Sequence, residues 1–339
     1  MSLFRWYYSP FLMLGAFWLT VGNANAAATC SASMNAGTVN IGNNLTSDNV
    51  DSESITATLN YKCSNGTGRT RYVSVCLAID GGDIASEINP RYMKKSGADT
   101  PRLAFTMLKP DQTLWGTRNL TGINSEYIAY HEMPSNTSIS IDVPIKVALL
   151  PNYGNSLATP GVYTNNFNGG HTALTYQDRV FSTSSDCTSG GQDDNRFPFI
   201  VQATVVNSCE ITTTNDVNLG AHPASNTNIL GSRGNAIGVT CTKDAPYTIG
   251  LAPSNGNQAG SGVMSGTGSN NDKVPYQLRS APGFNGETWG NTATSTSTGN
   301  GVADIGNGLV QNKTVYVTVP SADFRPDNYS DTVTIKVNY

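Results

Sequence analysis

Apolar and polar residues alternate along many short stretches of this chain, and no long span carries a convincing apolar period of 3.6 residues. In the run Thr332-Val333-Thr334-Ile335-Lys336-Val337-Asn338-Tyr339, the residues Val333, Ile335, Val337 and Tyr339 share one side while Thr332, Thr334, Lys336 and Asn338 share the other. A strand with one buried face reads this way because successive side chains leave a sheet on opposite sides. Residues 197–209 carry Phe197, Phe199, Val201, Ala203 and Val205 spaced by two, the signature of another strand with a buried face. Similar runs rich in Val, Thr, Ile and Tyr recur between clusters of Gly, Asn, Ser and Asp. The pattern predicts an all-β fold, and 339 residues suit two domains.

The runs also repeat. Cys30, then Val39-Asn40-Ile41-Gly42, a strand ending Asn60-Tyr61-Lys62-Cys63, and Tyr72-Val73-Ser74-Val75-Cys76-Leu77 are answered by Cys209, Val217-Asn218-Leu219-Gly220, Val239-Thr240-Cys241 and Tyr247-Thr248-Ile249-Gly250-Leu251. Further on, Arg91-Tyr92-Met93, Leu103-Ala104-Phe105 and Leu114-Trp115-Gly116 answer Gly262-Val263-Met264, Val274-Pro275-Tyr276 and Thr288-Trp289-Gly290. An order kept over a domain length argues for two copies of one β-fold, with boundaries at 27–206 and 207–339. Cys30 and Cys63 are 33 positions apart, Cys209 and Cys241 are 32. We pair them so, leaving Cys76 with Cys187. Each short bridge is worth about 3–4 kcal/mol if loop-closure entropy dominates.

The copies end differently. The first passes its ladder at residues 138–149 and 161–176 and continues through a Gly, Asp and Ser-rich loop into residues 197–209, whereas the second stops at Tyr339. Relative to the first, the second lacks one strand. A closing strand with about five inward apolar side chains, at ~1.5–3 kcal/mol each, contributes roughly 7–15 kcal/mol, comparable to the stability of a whole domain. The second copy is therefore not expected to be stable alone.

The chain opens on Arg5, an apolar run over residues 11–21 and the small residues Ala24-Asn25-Ala26. This order predicts a secretory signal peptide over residues 1–26, cleaved after Ala26 or a residue or two later. Of 20 basic and 24 acidic residues, the loss of Arg5 leaves 19 against 24 and a net charge of −5. With no basic block, nucleic acid and anionic membranes are poor partners. In an exported chain, six cysteines favour disulfides over thiol chemistry, and no CxxC pair or histidine at ligand spacing suggests a metal.

Cys209 with Val217-Asn218-Leu219-Gly220, the Val239-Thr240-Cys241 strand, Trp289-Gly290 and the ending Tyr329-Ser330-Asp331-Thr332-Val333 to Tyr339 resemble the spore coat protein U domain of archaic chaperone-usher pilus subunits. The first copy resembles a diverged, enlarged version, and the two-domain layout is similar to that of tip adhesins of Csu-type pili. The resemblance implies immunoglobulin-like sandwiches, the C-terminal one incomplete and closed by a donated strand. A periplasmic chaperone supplies that strand first, and an adjacent pilin subunit replaces it at the outer-membrane usher, by strand addition. Val333, Ile335, Val337 and Tyr339 are then the chaperone and donor-strand edge. Stalk subunits carry an alternating extension before their first cysteine. Here cleavage leaves Ala27, Ala28 and Thr29, too short to span a sheet at about 3.3 Å per residue. The expectation is a strand receiver at the pilus tip, exported through the periplasm to the cell surface.

The first copy exceeds the second mainly in loops. Leu120, Ile123, Tyr127, Leu149, Leu150, Tyr153, Val162, Tyr163 and Phe167 are candidates for an apolar patch that attaches to an abiotic or host surface, as in biofilm formation. The bland alternative is that most of them are core. A glycan site built on Trp115, Tyr127 and Tyr130 is a rival, weakened by the repeat partner Trp289, and so is a fibre cap that initiates assembly without binding anything. Nothing suggests an enzyme or a cofactor. His131, His171 and His222 read as core or solvent residues, no Gly-x-Ser-x-Gly elbow occurs, the glycine-rich run at 260–266 reads as a loop, and Asp193-Asp194 reads as solvated.

Overall fold

The structure is a computed structural model and describes residues 28–117, 125–181, 187 and 192–339. The predicted leader, Leu120 and Ile123 lie outside the described residues, as do the side chains of Asp193 and Asp194. The only helical element among the described residues is a 3-10 turn, Asn155–Leu157.

Among the described residues, twelve strands form the first unit: β1 Thr29–Met34, β2 Thr38–Leu45, β3 Ser54–Asn65, β4 Arg71–Ile79, β5 Arg91–Lys95, β6 Arg102–Leu108, β7 Tyr127–Met133, β8 Thr137–Leu149, β9 Gly161–Asn166, β10 Thr172–Arg179, β11 Gln192–Asn195 and β12 Ile200–Val205. They make an eight-stranded sheet, in the order β1-β3-β8-β6-β5-β9-β12-β2, and a four-stranded sheet, β11-β10-β4-β7. Alternation does the folding. Leu59, Tyr61 and Cys63 of β3 and Val143, Ile145 and Val147 of β8 point into one core with Val73, Val75, Leu77 and Leu174 of the facing sheet, as in a sandwich. Strand β4 is buried on both faces, because Cys76 on its outer side is bonded to Cys187, whose carbonyl accepts a 3.1 Å hydrogen bond from Thr175 Oγ1.

Eight strands form the second unit: β13 Cys209–Thr214, β14 Ile229–Cys241, β15 Pro246–Pro253, β16 Ser261–Ser265, β17 Lys273–Arg279, β18 Val302–Ile305, β19 Val310–Val319 and β20 Val333–Asn338. Their sheets run β13-β14-β19-β17-β16 and β18-β15-β20. The run at 260–266, which its glycines make look like a loop, contains β16. Gly262 sits on the ring of Tyr276, where a Cβ would come 2.1 Å from Cζ, so the glycine admits a neighbour rather than marking a turn.

The repeat is explicit in the hydrogen bonds. Each first strand pairs its cysteine directly with a cysteine of its sheet neighbour, Cys30 of β1 with Cys63 of β3 and Cys209 of β13 with Cys241 of β14, and both pairs are disulfide-bonded. Arg91 pairs with Phe105 and Met93 with Leu103, as Gly262 pairs with Tyr276 and Met264 with Val274. Trp115 and Trp289 are buried, and their indole N–H groups donate to Leu77 O at 2.9 Å and Ile249 O at 2.8 Å. Leu77 is thus equivalent to Ile249, two residues before the Leu251 that residue type alone would match to it. The indole, which tolerates no slip, fixes the register that similar side chains leave ambiguous.

Candidate strand-accepting groove

The two units differ at one place. In the first, β12 lies antiparallel to β9, with Ile200 opposite Asn166 and Val205 opposite Gly161, and parallel to β2, with Ile200 opposite Thr38 and Val205 opposite Leu45. The shorter β11 lies antiparallel to β10. Residues 192–205 therefore run beside residues 161–179 in both sheets. They place Phe197, Phe199, Val201, Ala203 and Val205 in the core, each at most 4% exposed, and Phe199 stacks on Phe167 with ring centroids 4.7 Å apart.

In the second unit, the counterpart of β9–β10 is residues 329–338. Ser330 bridges Ser265 of β16 through two backbone bonds of 2.9 and 3.0 Å, and β20 pairs with β15. Among the described residues, nothing pairs with the other edge of β20. Residues 217–220, which answer the first part of β2, form no strand. The cover is missing from the side chains as well. Val39 and Ile41 are 3% and 4% exposed and Leu174 is fully buried, whereas Val217, Leu219, Val333, Ile335 and Val337 are only half-buried. Among the described residues, the first core has 33 buried apolar residues with 7 partly buried around it, the second 15 with 11, so the second core is open along one side. An unpaired edge beside partly covered apolar side chains can accept main-chain hydrogen bonds and alternate side chains from an extended segment.

Polar contacts hold this edge in place. The carboxylate of Asp327 accepts from the Thr267 amide at 2.8 Å, from the Thr267 hydroxyl, and from Asn270 Nδ2 at 2.7 Å; these donors hold its proton affinity well below the usual carboxylate range. Tyr329 receives a bond from Asn270 and donates to Arg325 O. Tyr276 donates to Asp331 at 2.5 Å, and burial together with that carboxylate pushes the phenol well above its ordinary range. The turn before β20 is thus fixed before anything is added to the edge.

The register of β3, β4, β8 and β10 also shows which loops of the first unit point away from the second. Strand β12 leaves toward the second unit at Val205. The opposite end carries the turn at 66–70, the turn at 134–136 and the chain after Arg179, which pairs with Tyr72. Asn65, fully buried, ties two of these turns by donating to Arg69 O, Met133 O and Pro134 O at 2.8–3.0 Å. Phe181, 92% exposed, follows there. Sequence reasoning missed both residues: a polar residue at a strand end looks like a turn, and a lone Phe in a Ser-rich stretch carries no period.

Most of the apolar loop candidates are elsewhere. Leu149, Tyr163 and Phe167 are core residues, at most 3% exposed, and cannot face a surface. Tyr163 and Phe167 lie on and just beyond β9, and Leu149 ends β8 opposite Phe105. Tyr127 and Leu150 are half-buried, with Tyr127 stacked on Trp115 at 5.7 Å. Tyr153 and Val162 are exposed but flank the Asn155–Leu157 turn, which faces the second unit: a Cβ at Gly308 would lie 2.6 Å from Ser156 O. The residues therefore do not converge. Trp115, buried and hydrogen-bonded, offers no face to a sugar. Each histidine has a partner: His131 has Tyr61 Oη at 2.7 Å, His171 the Asp80 carboxylate at 3.0 Å, and His222 Leu219 O at 2.7 Å.

Among solved structures, the chain is similar to one in the CsuC-CsuE chaperone-tip adhesion subunit pre-assembly complex from archaic chaperone-usher Csu pili of Acinetobacter baumannii, at 15% identity and a TM-score of 0.49 over 92% of this chain and 100% of that one. It is also similar to the CupB6 tip adhesin from Pseudomonas aeruginosa, at 10% identity, TM-score 0.33, over 91% and 93%, and to CfaE, the adhesive subunit of CFA/I fimbria of enterotoxigenic Escherichia coli, at 10%, 0.33, over 89% and 92%. No curated protein sequence matches it. The Spore Coat Protein U domain matches residues 16–169 and again residues 196–336, the second segment taking in β12. With both units matched over most of its length, the chain belongs to the spore coat protein U domain family.

Proposed function

We propose that this protein is the tip adhesin subunit of a chaperone-usher pilus, with residues 1–26 a signal peptide, residues 27–206 an adhesive domain and residues 207–339 a pilin domain. The observation that carries the reading is the contrast between the units: one core is closed by β11–β12, whereas the other lies open beside an edge of β20 that nothing pairs with among the described residues. A periplasmic chaperone fills that opening first, and the neighbouring pilin's extended segment replaces it at the usher. Residues Val333, Ile335, Val337 and Tyr339 border the incoming strand. The far-end loops of the first unit, with Phe181 exposed among them, meet the surface and support biofilm formation. The position of Tyr153 and Val162 near the second unit makes them poor candidates for that contact.

Co-expression with a pilus chaperone is expected to give an equimolar complex in which the amides of β20 are protected from hydrogen exchange. A stable monomer with those amides already protected would count against the open-unit reading. Attachment is tested by deleting residues 27–206 from the fibre-forming system. Fibres that assemble but do not stick are expected, and fibres that stick normally would favour a cap without binding function. Competition by a simple sugar would favour a glycan ligand.

A further inference from the structure

We infer that Asp178 is the docking site for the α-ammonium group created when the leader is removed, so that the mature N-terminus becomes part of the far end of the first unit. This rests on the reading of residues 1–26 as a signal peptide. Asp178 pairs with Val73, and Arg71 with Met133, both of the latter in the core. Residues paired across a sheet share one face, so both charged side chains point between the two sheets at the end of the sandwich. They are 15% and 13% exposed, and Arg71 Nη1 lies 3.4 Å from Asp178 Oδ2. The same oxygen accepts from the amide of Ala28 at 3.0 Å, and Ala28 is fully buried. Asp178 Oδ1 accepts no bond among the described residues. A carboxylate at the mouth of a core needs donors to offset its lost hydration, and here one oxygen is still open.

The position is pinned. Thr29 lies opposite Ser64, and Cys30 is bonded to Cys63, which leaves residue 28 little slack. Whichever of Ala27 or Ala28 comes first, its ammonium stands within one residue's span, about 3.6 Å, of the nitrogen that already touches Asp178. An unprocessed chain offers a single neutral N–H at that nitrogen. An ammonium offers three donors and a full charge, and bonds from a charged donor are about twice as strong. A chain starting at Thr29 would lose the Ala28 amide and leave Asp178 to Arg71 alone. Cleavage after Ala26 or Ala27, and not after Ala28, follows. The docking also reaches the exposed end of the unit: Asp178 comes three residues before Phe181, and Ser64 comes just before the turn at 66–70. Removal of the leader thereby fixes the segment that carries Phe181.

The test uses the full chain released at Ala27 from a fusion by a site-specific protease, with the exported protein beside it. Reductive methylation of the α-amine is followed by mass spectrometry, with the lysines of the same chain as standard. It is expected to be at least about tenfold slower than in a chain extended by Gly-Ser-Gly-Ser before Ala27, or in Asp178→Asn, as the loss of one bond to a charged group requires. The extended chain is also expected to exchange its amides faster at residues 66–70 and 178–181, with residues 229–241 unchanged. Equal methylation rates in the released and extended chains, or unchanged exchange at the far end of the extended one, overturns the inference. Should Asp178→Asn fail to fold, the extended chain, which keeps Asp178 and Arg71, decides alone. An exported protein that begins at Thr29 overturns the inference as well. One that keeps its leader overturns the signal-peptide reading instead, and the released chain still decides this one.

Discussion

Replacing Phe199 with alanine probes the joint between the units most directly. The side chain is 2% exposed, and its ring lies 4.7 Å from that of Phe167 at an interplanar angle of 6°. Emptying a fully buried phenylalanine site costs about 3–5 kcal/mol, of which the ring pair accounts for roughly 0.5–1.5 kcal/mol. At about 2–4 °C per kcal/mol for a unit of this size, the first-unit transition should drop by about 6–20 °C. Calorimetry of the full-length protein reads the shift, and hydrogen exchange followed by mass spectrometry assigns it, since β9 and β12 peptides should exchange faster while β14 and β19 peptides do not change. Adding Phe167→Ala closes a double-mutant cycle with an expected coupling of about 1 kcal/mol. A loss under about 1 kcal/mol, or acceleration spread equally over both units, would refute the assignment of this strand as the closure of the first core.

Trp289→Phe leaves the Ile249 carbonyl without its indole donor and should lower second-unit stability by about 1–3 kcal/mol, seen as a lower urea midpoint with an unchanged slope. Asn65→Ala removes three donated bonds from a buried position and should loosen both far-end turns, measured as faster exchange at residues 66–70 and 134–136 with the junction end unaffected. Asp327 binds its proton more weakly folded than unfolded, so its contribution is present above about pH 4 and is lost as the pH falls further. Asp327→Asn should flatten the acid limb of the second unit's stability curve, and an unchanged limb would remove Asp327 from that role. Gly308 has φ of 78°, and a side chain there meets Ser156 O. Gly308→Asn, which tolerates that backbone, should part the two turns and raise the radius of gyration by small-angle scattering.

The strands and the repeat were legible because alternation is a local signal, and the cysteine spacing survived in both copies. The missing strand could be read by laying one copy on the other, and the five residues of period two that fill its place in the first copy are all buried. The candidate surface was not legible in the same way. Tyr163 and Phe167 sit among Gly, Asn and Pro, which read as loop, although their spacing with Asn165 between them, also buried, carries a strand's period. Which end of the sandwich a loop occupies depends on the direction each strand runs, a property of pairing between distant segments. The role of Asn65 depends on carbonyls 4, 68 and 69 residues away, and no local pattern announces such a partner.

Strand β12 has a mechanical consequence. Tension between the two units enters the first one at Val205 and pulls along the axis of β12, parallel to the strand and not across it. The bonds to the antiparallel β9 lie perpendicular to that pull and those to the parallel β2 are slanted to it, so both rows are loaded in shear and share the load instead of opening one after another. Rupture then requires the strand to slide as a whole, dragging Phe197, Phe199 and Val201 out of the core at once. The lifetime of the joint under load is governed by that barrier to unfolding, so force between the two units is met by the whole strand at once.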